Sequence, residues 1–239
     1  MSAGFLSAPA RPSLKRGLAG LSIVLVLSAL VAAFIIAPPE KEMGDVQRIF
    51  YFHVASAWTA FLAFFLVFVG SIAYLRTRAP RWDLLAVSMA EIGVVFTSLT
   101  LLSGSIWARS AWGTWWTWEP RLTTTLLLWL IYVSYLLLRE MVEGPARRAA
   151  FAAVFGIVGF VDVPIVFMSI RWWRTIHPAV VGSEGFSMEA TMLPALFLSV
   201  AAFTVIFVYL LLLRLDLERC RQHVGDLKER VGRMQEEGG

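Results

Sequence analysis

The sequence predicts an all-α integral membrane protein with six transmembrane helices and both termini in the cytoplasm. Three observations carry that prediction. The 239 residues are 58% hydrophobic and 16% charged, with mean hydropathy +0.70, whereas soluble domains run about 45–50% apolar and about 25% charged. Six apolar stretches each approach the roughly 20 residues that cross a bilayer as a helix. Lys and Arg concentrate in alternate connections between those stretches, as they do on the cytoplasmic side of membrane proteins. Such a composition excludes an ordinary soluble enzyme and a disordered chain. The single cysteine, Cys220, excludes an internal disulfide framework and thiolate-held metal clusters. The net charge of +4 and pI of 9.6 belong to membrane topology and do not point to nucleic acid.

The predicted spans are 17–37, 50–75, 84–107, 122–138, 149–170 and 188–213. The first follows Arg11, Lys15 and Arg16 as a signal peptide would. Its apolar core is longer than a usual h-region and no clear cleavage site follows, so it reads as a retained span. The second ends at a basic connection holding Arg76, Arg78 and Arg81, and the fourth at Arg139, Arg147 and Arg148. The fifth contains Pro164, which has no amide hydrogen to donate and predicts a kink. The sixth runs into a basic tail. Counted by connection, fifteen Lys and Arg fall on the side of the termini and six on the other. The domains expected are a cytoplasmic tail over 1–16, a membrane domain over 17–213 with a tryptophan-rich outer loop at 107–121, and a helical cytoplasmic tail over 214–239. In that tail Leu213, Leu217, Cys220, Val224, Leu227, Val231 and Met234 repeat at spacings of four and three, a heptad seam. Gly225 and Gly232 each weaken it by about 1 kcal/mol. A helix docked on a partner and a solvated tail both fit.

The unusual residues collect on the outer side. Trp107, Trp112, Trp115, Trp116 and Trp118 lie in or beside the third connection, and Trp172 and Trp173 open the fifth. Trp82 alone marks the inner interface, and Trp129 lies within the fourth span. An aromatic belt would populate both interfaces. Each indole can bury about 150–250 Å², so a loop this rich in indole, left in water, is a large apolar patch of the kind that marks a binding surface. A flat apolar ligand and a membrane-surface platform are the two readings.

Two of the three histidines share that side. His53 lies about one turn inside the second span, and His177 follows Trp173 by four residues. His223 sits in the tail as an ordinary solvated side chain. A histidine at a membrane edge is commonly a satisfied hydrogen-bond donor. A pair on the tryptophan face also suits the two axial positions of a haem, since imidazole is a good iron ligand. Arg48, Arg109, Arg121, Arg171 and Arg174 are on the same face, where guanidinium groups pair with carboxylates such as propionates. A transmembrane cytochrome b needs histidine pairs at matching depth on facing helices, and no second pair is present. Glu91 and Asp162 interrupt apolar spans at a cost of about 2.5–3.5 kcal/mol each if ionised. No chain of acids joins them, so they read as bundle-facing acids that are paired or protonated.

The run Trp112-Gly113-Thr114-Trp115-Trp116-Thr117-Trp118-Glu119-Pro120-Arg121-Leu122-Thr123 resembles the tryptophan-rich signature of haem-handling membrane proteins for cytochrome c assembly. Residues 50–58, around His53, and Asp162-Val163-Pro164-Ile165 with Trp172-Trp173-Arg174-Thr175-Ile176-His177 are similar to the two histidine regions of the CcmC branch. Length, six spans and motif order agree over most of 17–213. The resemblance implies haem b held at the periplasmic face of the bacterial inner membrane, with His53 and His177 as axial ligands. Trp112, Gly113, Trp115, Trp116, Trp118, Glu119, Trp172 and Trp173 would form a platform for haem and chaperone, and Arg121 and Arg174 would meet propionates. It further implies delivery to a membrane-anchored periplasmic haem chaperone, in a complex with ATP-binding cassette subunits and a small single-span subunit. The chain has no Walker A pattern of its own, and nothing in it resembles a nucleophile–base pair, so no enzymatic activity is expected of it. The commonest form of the motif has aspartate where this chain has Glu119. The alternatives are a transporter permease with an aromatic outer vestibule and a haem-lyase-like cytochrome c synthase. The second would need a larger outer domain than connections of this length provide.

Overall fold

The computed structural model describes residues 11–41, 43–178, 180–182, 185–186 and 188–237. The fold is nearly all helical, and six helical segments are long and apolar enough to cross a membrane. Helix α1 (Pro12–Val31) closes with a π-turn, Ala32–Ile36. A short 3₁₀ turn, Asp45–Gln47, leads into α2 (Arg48–Thr77), followed by α3 (Pro80–Trp112) and α4 (Pro120–Met141). The fifth span is divided into α5 (Pro145–Phe160) and α6 (Asp162–Trp172). A two-residue hairpin, β1 (Val181–Gly182) on β2 (Gly185–Phe186), precedes α7 (Leu193–Glu237).

Chain punctuation sets these limits more than hydropathy does. Helices α1, α3, α4 and α5 each carry proline in the first turn, where its missing amide costs nothing and its fixed φ suits a helix. Helix α3 ends on Gly113 at φ +74, a left-handed cap that glycine adopts without strain. The third span therefore runs five residues beyond the apolar stretch, carrying Trp112 with it. The interruption expected from Pro164 falls three residues earlier, at Val161. There the chain makes a tighter bond from Val161 N–H to the Val158 carbonyl, 3.2 Å, and Pro164 has no amide to offer the Phe160 carbonyl.

The core is built on small residues. Helix α2 buries Ser56, Ala60, Ala63, Val67, Gly70 and Tyr74, alternately four and three apart, which places them on one helix face. On that face Gly70 meets Trp82 and Ala86 of α3, while Val67 and Tyr74 reach α5 at Gly156 and Ala146. In a bilayer, helices associate through close contact and not through exclusion of water, and small side chains permit it. At the centre Phe64 stacks on Tyr132, with centroids 3.7 Å apart and planes 12° apart. Gly93 lies beneath, where an added Cβ would strike the Phe64 ring.

Ion pairs gather toward the end of the bundle where α2 finishes and α3 begins. Arg139 grips Asp83 with two bonds, 2.6 and 2.8 Å. Lys15 reaches Asp216 at 2.8 Å, so the start of α1 lies beside the emerging part of α7. Glu91, deeper in α3, is paired with Arg214, with Nη2 to Oε1 at 2.7 Å. Asp162 is buried, and its Oδ2 has no hydrogen-bond partner. The N-terminal tail expected over 1–16 lies mostly outside the described residues, as does the His223 side chain.

Removing one partner of a buried ion pair costs about 3–5 kcal/mol. Arg139→Ala is therefore expected to lower the midpoint of detergent-induced unfolding. Adding Asp83→Ala should cost less than the sum of the single changes. A double-mutant cycle in SDS titrations measures both.

Candidate functional site

The helix ends opposite those ion pairs converge on His53 and His177. His53 lies on the second turn of α2 and faces α3 at Ser103 and Gly104, in the third turn from its end. Its Nδ1 stands 3.0 Å from Ser103 Oγ. The serine hydroxyl already donates to the Leu99 carbonyl at 2.6 Å, so toward the imidazole it can only accept. The proton is therefore on Nδ1, and Nε2 is the basic nitrogen. Gly104 makes this approach possible, since an added Cβ would lie 2.9 Å from His53 Cε1.

His177 arrives from the connection after α6. The two imidazole centroids are 6.4 Å apart with planes at 44°. The His177 Nδ1 faces Glu119 Oε1 at 3.5 Å, just beyond hydrogen-bond reach. Both atoms are buried and otherwise unpartnered. Burial pushes the imidazole below its ordinary pKa, against the pull of Glu119, so it is neutral at pH 7. Thr175 ties the connection down: its Oγ1 donates to Glu119 Oε2 and accepts the His177 amide at 3.0 Å.

An apolar cavity lies beside the pair, lined by Trp107, Trp112, Trp116 and Arg121 among others. A second shares His53, Trp107, Arg121 and His177 and extends past Trp58 and Phe167. Trp107 meets Trp112 edge-on at 4.9 Å, and their rings stand 6.3 and 6.1 Å from His177. The Nε1 atoms of Trp107 and Trp116 are buried without a partner.

The structure thus brings together His53, His177, Trp112, Trp116, Glu119 and Arg121 from the sequence-predicted set. Gly113 contributes backbone geometry, and its carbonyl accepts from Arg109. Trp115, Trp118, Trp172 and Trp173 are exposed, the most open being Trp118 at 76%. Arg174 is exposed as well, and none of these five lines either cavity. Arg48 is engaged with Asp45 and the Ala33 carbonyl. Sequence reasoning did not single out Ser103, Gly104 or Thr175, and it left Trp107 among the general aromatic residues. The run Ser103-Gly104-Ser105 at the end of an apolar helix was the available signal, because small residues mark close approach.

Fold and site define a multi-pass membrane protein with a paired-imidazole, indole-walled pocket at one end of its helices. The chain belongs to the CcmC family, described as heme exporter protein C, whose profile matches residues 6–230. Among its relatives is the Heme exporter protein C of Bradyrhizobium diazoefficiens, 36% identical over 213 residues, 88% of this chain and 81% of that protein. The Heme exporter protein C of Escherichia coli K12 is 30% identical over 217 residues, 89% and 88% of the two chains. A putative cytochrome c biosynthesis ccmC-like mitochondrial protein of Marchantia polymorpha is 34% identical over 187 residues, 78% and 79%.

The hydrogen-bond pattern at His53 makes a direct prediction. In ¹⁵N-histidine NMR of the chain in detergent, His53 should show the rarer tautomer, protonated at Nδ1. Ser103→Ala should shift it toward the Nε2–H form. Gly104→Val should displace the resonance altogether.

Proposed function

We propose that this chain handles haem for cytochrome c assembly, holding it through His53 and His177 at the indole-walled end of the bundle and passing it to a partner. It acts as a transport and assembly component and not as an enzyme, within an ATP-binding cassette haem-export system. The observation that carries the reading is the spacing of the two imidazoles. An imidazole nitrogen sits about 2 Å from a bound metal, and two such bonds plus the half-widths of two rings amount to roughly the 6.4 Å between centroids. His53 engages the protein through Nδ1, and His177 turns its Nδ1 toward a carboxylate, the arrangement that fixes tautomer and ring orientation in metal-ligating histidines. A membrane chaperone for a flat, apolar cargo needs a wall of indoles, and Trp107, Trp112 and Trp116 supply it.

The other assignments follow from charge and exposure. Arg121, which lines both cavities, is the cation placed to meet a propionate. The exposed Trp115, Trp118, Trp172 and Trp173 form an apolar rim to which a membrane-anchored haem chaperone docks. The side rich in Lys and Arg faces the cytoplasm, which places both termini there and the site at the periplasmic face of the inner membrane. Arg174 sits on that rim, available to a partner or to a second propionate. The haem is held non-covalently, as haem b is, since the only cysteine, Cys220, lies in the tail and no thiol near the site offers a covalent attachment.

Purified from cells lacking the chaperone, the wild-type chain is expected to carry a Soret band. His53→Ala and His177→Ala should each lose or shift it. Trp118→Ala should keep the band yet lower transfer to the chaperone, read as cytochrome c yield in cells. Absence of haem from every preparation would overturn the reading.

A further inference from the structure

The two histidines are anchored unequally. His53 belongs to a 30-residue helix and is wedged against Gly104 with Nδ1 on Ser103. Its position is part of the α2–α3 packing and cannot change without disturbing it. His177 stands outside every helix, five residues after α6 ends at Trp172. Among the described residues, side-chain contacts set its place in the site.

Those contacts share one carboxylate. Glu119 stands in extended conformation before Pro120, at the start of α4. Its carbonyl is engaged by the Thr123 amide at 3.0 Å and the Thr123 hydroxyl at 2.9 Å, so the residue is fixed on a rigid element. One carboxylate oxygen accepts the Thr175 hydroxyl, and the other faces His177 Nδ1. Thr175 in turn accepts the His177 amide. The carboxylate thereby ties down the backbone of the His177 segment through Thr175 and stands beside its ring.

We infer that Glu119 and Thr175 form a clamp that positions His177, making it the adjustable member of the pair while His53 stays fixed. This rests on the haem reading above for its purpose, although the clamp itself is a property of the empty chain. Thr175 is a positioning residue: it touches neither cavity and acts through the segment that carries His177. The Glu119 carboxylate, at the end of the tryptophan loop, connects the exposed indole rim to one ligand only. Displacing the loop therefore loosens His177 without moving His53.

The test uses the full chain in detergent, as wild type, Thr175→Ala, Thr175→Ser and Glu119→Ala. Haem-free samples are treated with diethyl pyrocarbonate, and modification of each histidine is followed by peptide mass spectrometry. The expected result is a severalfold faster reaction at His177 in Thr175→Ala and Glu119→Ala, no change at His53, and wild-type behaviour in Thr175→Ser. In haem-loaded samples Thr175→Ala should gain a five-coordinate, high-spin component that added imidazole converts to low spin, and Thr175→Ser should not. Equal reactivity of His177 in wild type and Thr175→Ala, or equal acceleration of His53 and His177, would overturn the clamp. So would failure of serine to restore wild-type behaviour. If the wild type carries no haem, the function proposed above fails, while the reaction rates still decide the clamp.

Discussion

Everything at the site depends on how closely α2 lies against α3. Two helices can approach this tightly only where side chains are small, and α2 supplies Gly70, set against Trp82 and Ala86 of α3. Gly93 and Gly104 answer from α3, one beneath the Phe64 ring and the other beneath the His53 ring. The same packing that closes the core thus sets the depth and direction of the first imidazole. Because lipid provides no hydrophobic force between helices, this steric fit fixes the two helices more than burial does.

Ion pairs stand at both ends of the bundle, Arg48 with Asp45 and Lys41 with Glu189 among them. Toward the end where α2 finishes, charges pair with one another: Arg139 with Asp83, Arg214 with Glu91, Lys15 with Asp216. At the opposite end several buried polar atoms have no protein partner, among them the Trp107 and Trp116 indole nitrogens and His177 Nδ1. Buried polar atoms are ordinarily satisfied. A cluster of unsatisfied ones around a cavity is the pattern expected of a surface that completes its bonding with something else.

Much of this was legible in the sequence. Six spans follow from hydropathy alone, and their true ends follow from Pro80, Gly113, Pro120 and Pro145, residues whose backbone preferences are local. The nearness of His53 to His177 and the gathering of Trp112, Trp116 and Arg121 around them were accessible because topology places them on one side. What could not be read was which indoles turn inward. Trp116 lines the cavity while Trp115 and Trp118 stay exposed, and in an irregular loop no periodicity distinguishes them. Ser103 and Thr175 were equally hidden. Their importance comes from contacts 50 and 56 residues away in the chain, and hydroxyl residues in membrane helices commonly bond to their own backbone, as Thr97 and Thr100 do here.

The unbroken length of α7 has a mechanical consequence. At 1.5 Å per residue, the part beyond Arg214 extends about 35 Å, an arm as long as the hydrocarbon layer is thick, about 30 Å. Higher up the same helix, Thr204 accepts the Trp58 indole at 3.2 Å, and Trp58 lines the second cavity. A rigid rod tilted by a force at its far end moves at every point along its length. Load applied between Arg214 and Gly225 is thus transmitted to the mouth of the pocket, whereas Gly225 and Gly232 are compliant joints that absorb load applied nearer Met234.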